Sequence, residues 1–195
     1  DSKKYSEWAS NTLQLENDMC IFYKDRDFLD LCINIRKNKI CKTYYIYRDI
    51  DDFYSNNIIS DSINCSYNVV SIPLARVYSE KVKLLQIAKN RYNNYEWLGW
   101  IDIGNLIYRN NIPNQLVLTN LNILDKNKIN CNHTHFNYNK DIILKLANDV
   151  YDIYYHYIAG TGYIINKNKI NEYVKIFYDQ QTIMSNYKNK INNSL

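Results

Sequence analysis

The chain has 195 residues, of which 46% are apolar and 23% charged, and a formal net charge of +4. This composition excludes a disordered or low-complexity chain, and the length predicts one domain, residues 1–195, with a single substantial core. Lys and Arg are dispersed; the nearest approach to a basic stripe, Lys37, Lys39 and Lys42, reads as solvated surface, so no nucleic-acid partner is expected.

The 20 Tyr and the many Asn, Ile and Lys follow the bias of an AT-rich genome, so clusters of these residues carry little information alone. The five cysteines show no metal-type spacing, and most lie in apolar runs, which predicts free thiols and a reducing, cytoplasmic setting. No apolar stretch reaches membrane-spanning length and no secretory signal opens the chain, so no transmembrane segment is expected. The first residue is Asp rather than Met, which reads as a processed product or a fragment of a longer protein.

In chain order, residues 3–15 read as a helix carrying Trp8, Leu13 and Leu15. Residues 19–23 are a short strand without alternation, as expected where both faces are covered. Residues 26–37 set Phe28, Leu31, Cys32 and Ile35 on one helical face. A strand over 44–47 leads into an acidic turn or cap at 49–52. The spacing of Tyr78, Val82, Leu85, Ala88 and Tyr92 predicts a helix over 76–93, with Pro73 limiting its start. Residues 97–101 form an apolar strand that stops at Asp102, and 127–131 a further strand. A helix over 139–155, a strand over 162–166 and a helix over 168–178 follow, the last burying Ile170, Val174 and Phe177. The final dozen residues read as polar and frayed. Short apolar runs alternating with amphipathic helices predict an α/β fold.

Three segments could carry chemistry. In WLGWIDIG, residues 97–104, Asp102 stands directly after a buried strand, at the edge where α/β sheets receive ligands. Gly104 permits close approach of the backbone, although Asp102 could equally be a turn cap. The second segment places Arg76 at the opening of a helix, where anions are favoured, with Lys81 about one and a half turns further on. Its bland reading is an exposed helix on which Glu80 and Lys81 are solvated charges. The third, Gly160-Thr161-Gly162, predicts a tight turn ahead of a strand. His133, His135 and Cys131 lack a fourth ligand for zinc and read as structural or surface residues.

With these segments the chain resembles the WlaTC/HtrL family of glycosyltransferases, which are related to GT-A enzymes. The likeness runs through Tyr5-x-x-Trp8, Asn11-x-Leu13, the strand at 19–23 and Arg36, then YSEKVKLLQIA at 78–88, YEWLGWIDIG at 95–104 and YIAGTGYIINKNKINEYVKIFYDQQ at 157–181. It implies a GT-A-like mixed, mostly parallel sheet flanked by helices, here without its first strand. It also implies transfer of a sugar from a nucleotide-diphosphate donor such as a UDP-sugar to a hydroxyl of a glycan, protein or lipid acceptor.

In such enzymes an Asp-x-Asp motif holds Mn2+ or Mg2+ against the donor diphosphate. The resemblance puts Asp102 in that motif, with Gly104 in place of the second carboxylate. It casts Asp102 as metal ligand and catalytic residue, Asp179 and Gln180 as catalytic residues facing donor sugar or acceptor, and Arg76, Tyr78, Lys81, Gly104, Gly160 and Thr161 as donor-binding, the last two lining the sugar pocket. No His after residue 181 can complete a metal site. The missing carboxylate and strand equally suit a non-catalytic, glycan- or nucleotide-binding or structural relative. All of this depends on Asp102 protruding towards a ligand; an Asp102 tied into a structural hydrogen-bond network with no cavity beside it would overturn it.

Overall fold

Helix α1, Ser2–Thr12, is the first element of this computed structural model, which describes residues 2–59, 71–104, 121–133 and 158–192. Its inner face carries Ala9 and leads to Leu13, both buried with Ile21 and Cys32. Strand β1 is Met19–Tyr23, and helix α2, Arg26–Arg36, begins where Asp25 accepts a 2.8 Å hydrogen bond from the Phe28 N–H. That cap satisfies one of the orphan donors of the first turn. Phe28, Leu31 and Ile35 pack against the α1 cluster as their spacing predicts. Strand β2, Thr43–Tyr47, returns parallel to β1 in the register Met19↔Thr43 to Tyr23↔Tyr47, closing a βαβ unit. Burial pushes the Cys20 and Cys32 thiols up to about 11, so neither is a ready nucleophile.

Asp49 caps a 3-10 turn at Ile50–Asp52, and a second such turn spans Tyr54–Asn57. Helix α3 runs Ile72–Arg91, with Ser71 at its N-cap and Pro73 inside the first turn rather than upstream of it. There a missing N–H costs nothing, because the first-turn donors have no helical acceptor. Val82 and Leu85 of α3 form a core with Tyr163, Ile165, Ile170, Val174 and Tyr178. Each large apolar side chain fully withdrawn from water there contributes about 1.5–3 kcal/mol.

Strand β3, Trp97–Ile101, is followed by a 3-10 turn at Leu121–Ile123, strand β4, Ile129–His133, and strand β5, Ile158–Asn166. These three strands form a sheet in the order β3-β5-β4, both pairings antiparallel. A 3-10 turn at Lys167–Lys169 opens into helix α4, Ile170–Asn192, which lies along α3 and hydrogen-bonds to it through Tyr178 Oη to the Ser79 carbonyl at 3.1 Å. At the opposite end of β3, Tyr95 donates to Asp18 at 2.6 Å, which joins the entry to β3 to the entry to β1 and holds the Asp18 carboxyl below the usual range.

The architecture is mixed α/β, as the alternation of patterns predicts. Three expectations are corrected. The mostly parallel sheet is not found among the described strands, where β1 with β2 is the parallel pair and the other two pairings are antiparallel. An apolar run reports that both faces are covered, not which way the chain runs. Gly160, Thr161 and Gly162 lie within β5 instead of forming a turn before it, and no described glycine has a positive φ. The last helix continues to Asn192 rather than ending at 178. The helix predicted over 139–155 lies outside the described residues. No described helix is long and apolar enough to cross a membrane.

Candidate functional site at the end of β3

The pleat of β3 sends Trp100 and the residue two positions on, Asp102, to the same side. The Trp100 indole Nε1–H accordingly donates to Asp102 Oδ1 at 2.6 Å. Lys81, on α3, donates to the other oxygen, Oδ2, at 2.7 Å. The ammonium also lies 4.7 Å from the centre of the Tyr78 ring, within reach of a cation–π attraction. The two charged side chains are partly shielded, Lys81 being 12% and Asp102 24% exposed. Tyr163 stands opposite Trp100 in the sheet; burial foremost, then neighbouring groups that include Asp102, raises its phenol well above the usual range.

The residues after Asp102 are fastened to α1. The Thr12 hydroxyl, almost fully buried, donates to the Ile103 carbonyl at 2.9 Å. A Cβ on Gly104 would stand 3.1 Å from Trp8 Cε3 and 3.8 Å from Tyr5 Cε1. Gly104 is thus filled against an aromatic pair, where a side chain would have to displace the Trp8 ring. Gly104→Asp is expected to destabilise the protein by about 1–3 kcal/mol through overpacking. Thermal unfolding checks this, and an unchanged midpoint would disprove the tight fit.

On the other flank, Gly162 of β5 pairs with Ile101, the last residue of β3. Across β5, Cys131 pairs with Tyr163 but Asn132 with Ala159, so Gly160, Thr161 and Gly162 have no β4 partner. The glycines therefore serve an irregularity beside the end of β3, a kind of feature that often borders functional sites. Continuing the β3–β5 register beyond Gly162 would bring Thr161 level with Asp102.

Of the residues singled out in the sequence, the structure gathers Tyr78, Lys81, Asp102 and Gly104 at the end of β3, with Gly160 and Thr161 in the adjoining strand. Arg76 points elsewhere: it lies in the second turn of α3, not at its opening, and its guanidinium donates to the Ile59 carbonyl at 3.1 Å. Asp179 and Gln180 are exposed on α4. Asp179 pairs with Lys175 at 3.6 Å and lines a groove of about 270 Å3 with Tyr54, Lys83 and Gln86, to which Lys81 and Asp102 do not contribute. The neighbouring Gln181 is the one that reaches α3, donating to Ser79 Oγ at 2.7 Å.

The expectation of Glu80 as a solvated charge is overturned. Its carboxylate is completely buried, accepting from the Ser55 N–H at 3.0 Å and meeting Arg48 Nη2 at 3.5 Å. Arg48 and Ser55 carried no signal of this in the sequence. Glu80 did, because it stands four and eight residues before Leu84 and Ala88, both buried.

As a cation site the arrangement fits poorly. Mg2+ or Mn2+ takes oxygen ligands, and among the described residues one carboxylate is present here, with an ammonium on one oxygen and an indole N–H on the other. Among the described residues no three His, Cys, Asp or Glu come together as a metal cluster. What the arrangement offers is a partly shielded ion pair, Lys81 with Asp102, at the C-terminal end of β3. Comparison of the chain with protein-family models, with curated proteins and with solved structures returns no match.

Proposed function

We propose that this chain is a glycosyltransferase of GT-A-like fold, moving a sugar from a nucleotide-diphosphate donor to an acceptor hydroxyl. The reading rests on the resemblance in sequence and is supported by one observation above the others. Lys81 and Asp102, 21 residues apart and assigned by the resemblance to donor binding and to the metal respectively, meet at 2.7 Å beyond the end of β3. In parallel α/β sheets that edge is where ligands bind; here β3 pairs antiparallel with β5, so the support comes from the charge pair and not from the sheet edge. A fixed charge pair there can receive a diphosphate, because the ammonium is already oriented and its reorganisation on binding is small.

Asp102 positions the ammonium, Trp100 fixes the carboxylate, and the irregular Gly160–Gly162 stretch gives backbone groups beside them. Purified protein incubated with UDP-sugars, with and without Mn2+, should release UDP, and Asp102→Ala should lower the rate by about 10²-fold or more. A panel of nucleotide-sugars that yields neither turnover nor a thermal shift would reject the reading.

One observation favours a second reading, a non-catalytic relative that binds glycan or nucleotide or builds an assembly. Both Asp102 oxygens are satisfied inside the protein, as in a purely structural network. On that reading the unaltered protein shows no turnover, and Asp102→Ala lowers the melting temperature without changing ligand binding.

A further inference from the structure

We infer that the Lys81 ammonium stands where a divalent cation would otherwise serve, so that a nucleoside diphosphate is held at the end of β3 without any metal ion. This rests on the donor-site reading above and adds to it the charge that meets the phosphates. Three independent features of the site carry it.

The first is occupancy of the carboxylate. Lys81 Nζ is 2.7 Å from Asp102 Oδ2 and Trp100 Nε1 is 2.6 Å from Oδ1, so a cation could reach Asp102 only by displacing one of them. Displacing Lys81 would leave two positive charges close together in a place where its side chain is only 12% exposed. The second is the tight fit at the position of the other carboxylate. At position 104 a Cβ would stand 3.1 Å from Trp8 Cε3, so an Asp there would need the ring to give by a few tenths of an ångström.

The third is how the ammonium is held. Asp102 fixes it on one side and the Tyr78 ring lies 4.7 Å from it. The Lys81 side chain keeps 12% of its surface in solvent, and an incoming anion would have to meet the ammonium there, on the side away from Asp102. A lysine acts on phosphate as a compact point charge, without the directional demands of a metal's coordination shell. A diphosphate, carrying more negative charge than a single carboxylate, draws the ammonium towards it, while Asp102 limits how far it moves.

Calorimetric titration of UDP and GDP into the purified protein, in EDTA and then in Mn2+, is the test. Binding in EDTA of the same strength as in Mn2+ is expected, together with weakening by about thirtyfold or more in Lys81→Gln. The double variant Lys81→Gln/Asp102→Asn keeps a neutral hydrogen-bonded pair and guards against misfolding, which circular dichroism monitors; it too should fail to bind. Full binding by the double variant would overturn the role of the charge. Binding that needs Mn2+ and disappears in Asp102→Ala would overturn the inference while leaving the glycosyltransferase reading intact. No binding of either nucleotide in either condition would overturn both. Should both variants unfold, the comparison of EDTA with Mn2+ on the unaltered protein still decides whether a metal is needed, and binding that requires Mn2+ there overturns the inference.

Discussion

Arg36→Met is expected to cost on the order of 4 kcal/mol or more of folding stability, a large part of the ~5–15 kcal/mol typical of a folded protein. Arg36 is 3% exposed, and its guanidinium spends its donors on two separate segments, 13–17 and 41–43. Nη1 donates to the carbonyls of Leu13 and Leu15 at 3.1 and 2.7 Å, and Nη2 to that of Asn17 at 2.9 Å, all in the stretch leaving α1. Nε donates to Thr43 Oγ1 at 2.6 Å at the start of β2, and Nη2 also reaches Cys41 Sγ at 2.8 Å. Among the described residues no carboxylate hydrogen-bonds to this guanidinium; carbonyl dipoles near the C-terminal end of a helix, with the nearby Asp18, supply the compensating negative charge.

Removing the guanidinium leaves several of these carbonyls buried without donors, each at about 1–3 kcal/mol before the structure relaxes. Arg36→Lys should recover little, since a single ammonium cannot reproduce the planar fork that spans residues 13–17 and 41–43. Urea unfolding followed by circular dichroism measures both variants. A loss below about 1 kcal/mol, the cost of an average substitution, would show that water replaces the fork without penalty.

Much of the fold was legible from the sequence, and the failures have common causes. The strands at 19–23 and 97–101 are found at those bounds because aromatic and β-branched runs end at residues with strong local preferences: Asp18, Asp25 and Asp102. Helix faces were read correctly where spacing was strict, as for Val82, Leu85 and Ala88. Strand direction was not legible, because the pattern that marks a covered strand is the same for either polarity. Nor was the Gly160–Gly162 irregularity, since two glycines around a threonine satisfy a turn and a bulge equally well.

The candidate site was half legible. Asp102 could be located from the end of its strand, and Lys81 was marked by its family-like segment, but their contact requires α3 to cross near the end of β3. Nothing local announces that crossing. Asp179 and Gln180 were taken from the order of segments alone; on a helix each residue turns about 100° from the last, so that order cannot tell Gln180 from Gln181. The structure turns Gln181 towards Ser79 and leaves Asp179 and Gln180 exposed. Buried charges were the least legible, because Arg36 and Glu80 are accepted in the interior only by partners far along the chain.

Glu80 provides the second large expected effect. Glu80→Ala should cost about 3–5 kcal/mol, since it removes the partner of a guanidinium and the acceptor of a buried backbone N–H together. Ser55 N–H at 3.0 Å would lose its bond, and Arg48, whose side chain is 25% exposed, would keep its charge without the carboxylate. Glu80→Gln retains the shape and an oxygen for Ser55, so its cost should be smaller, roughly 1–2 kcal/mol. Arg48→Met/Glu80→Gln removes both charges, and a double-mutant cycle built with Arg48→Met separates the ion pair from the backbone bond. If Arg48 matters chiefly as Glu80's counter-charge, the double variant will be more stable than the sum of its singles predicts. Strict additivity would instead assign nearly all of Glu80's contribution to Ser55, and equal costs for Glu80→Ala and Glu80→Gln would exclude the hydrogen bond as the cause. Because Glu80 precedes Lys81 on α3 and anchors that helix to the 3-10 turn at Tyr54–Asn57, the same cycle also measures how firmly the scaffold beneath Lys81 is held.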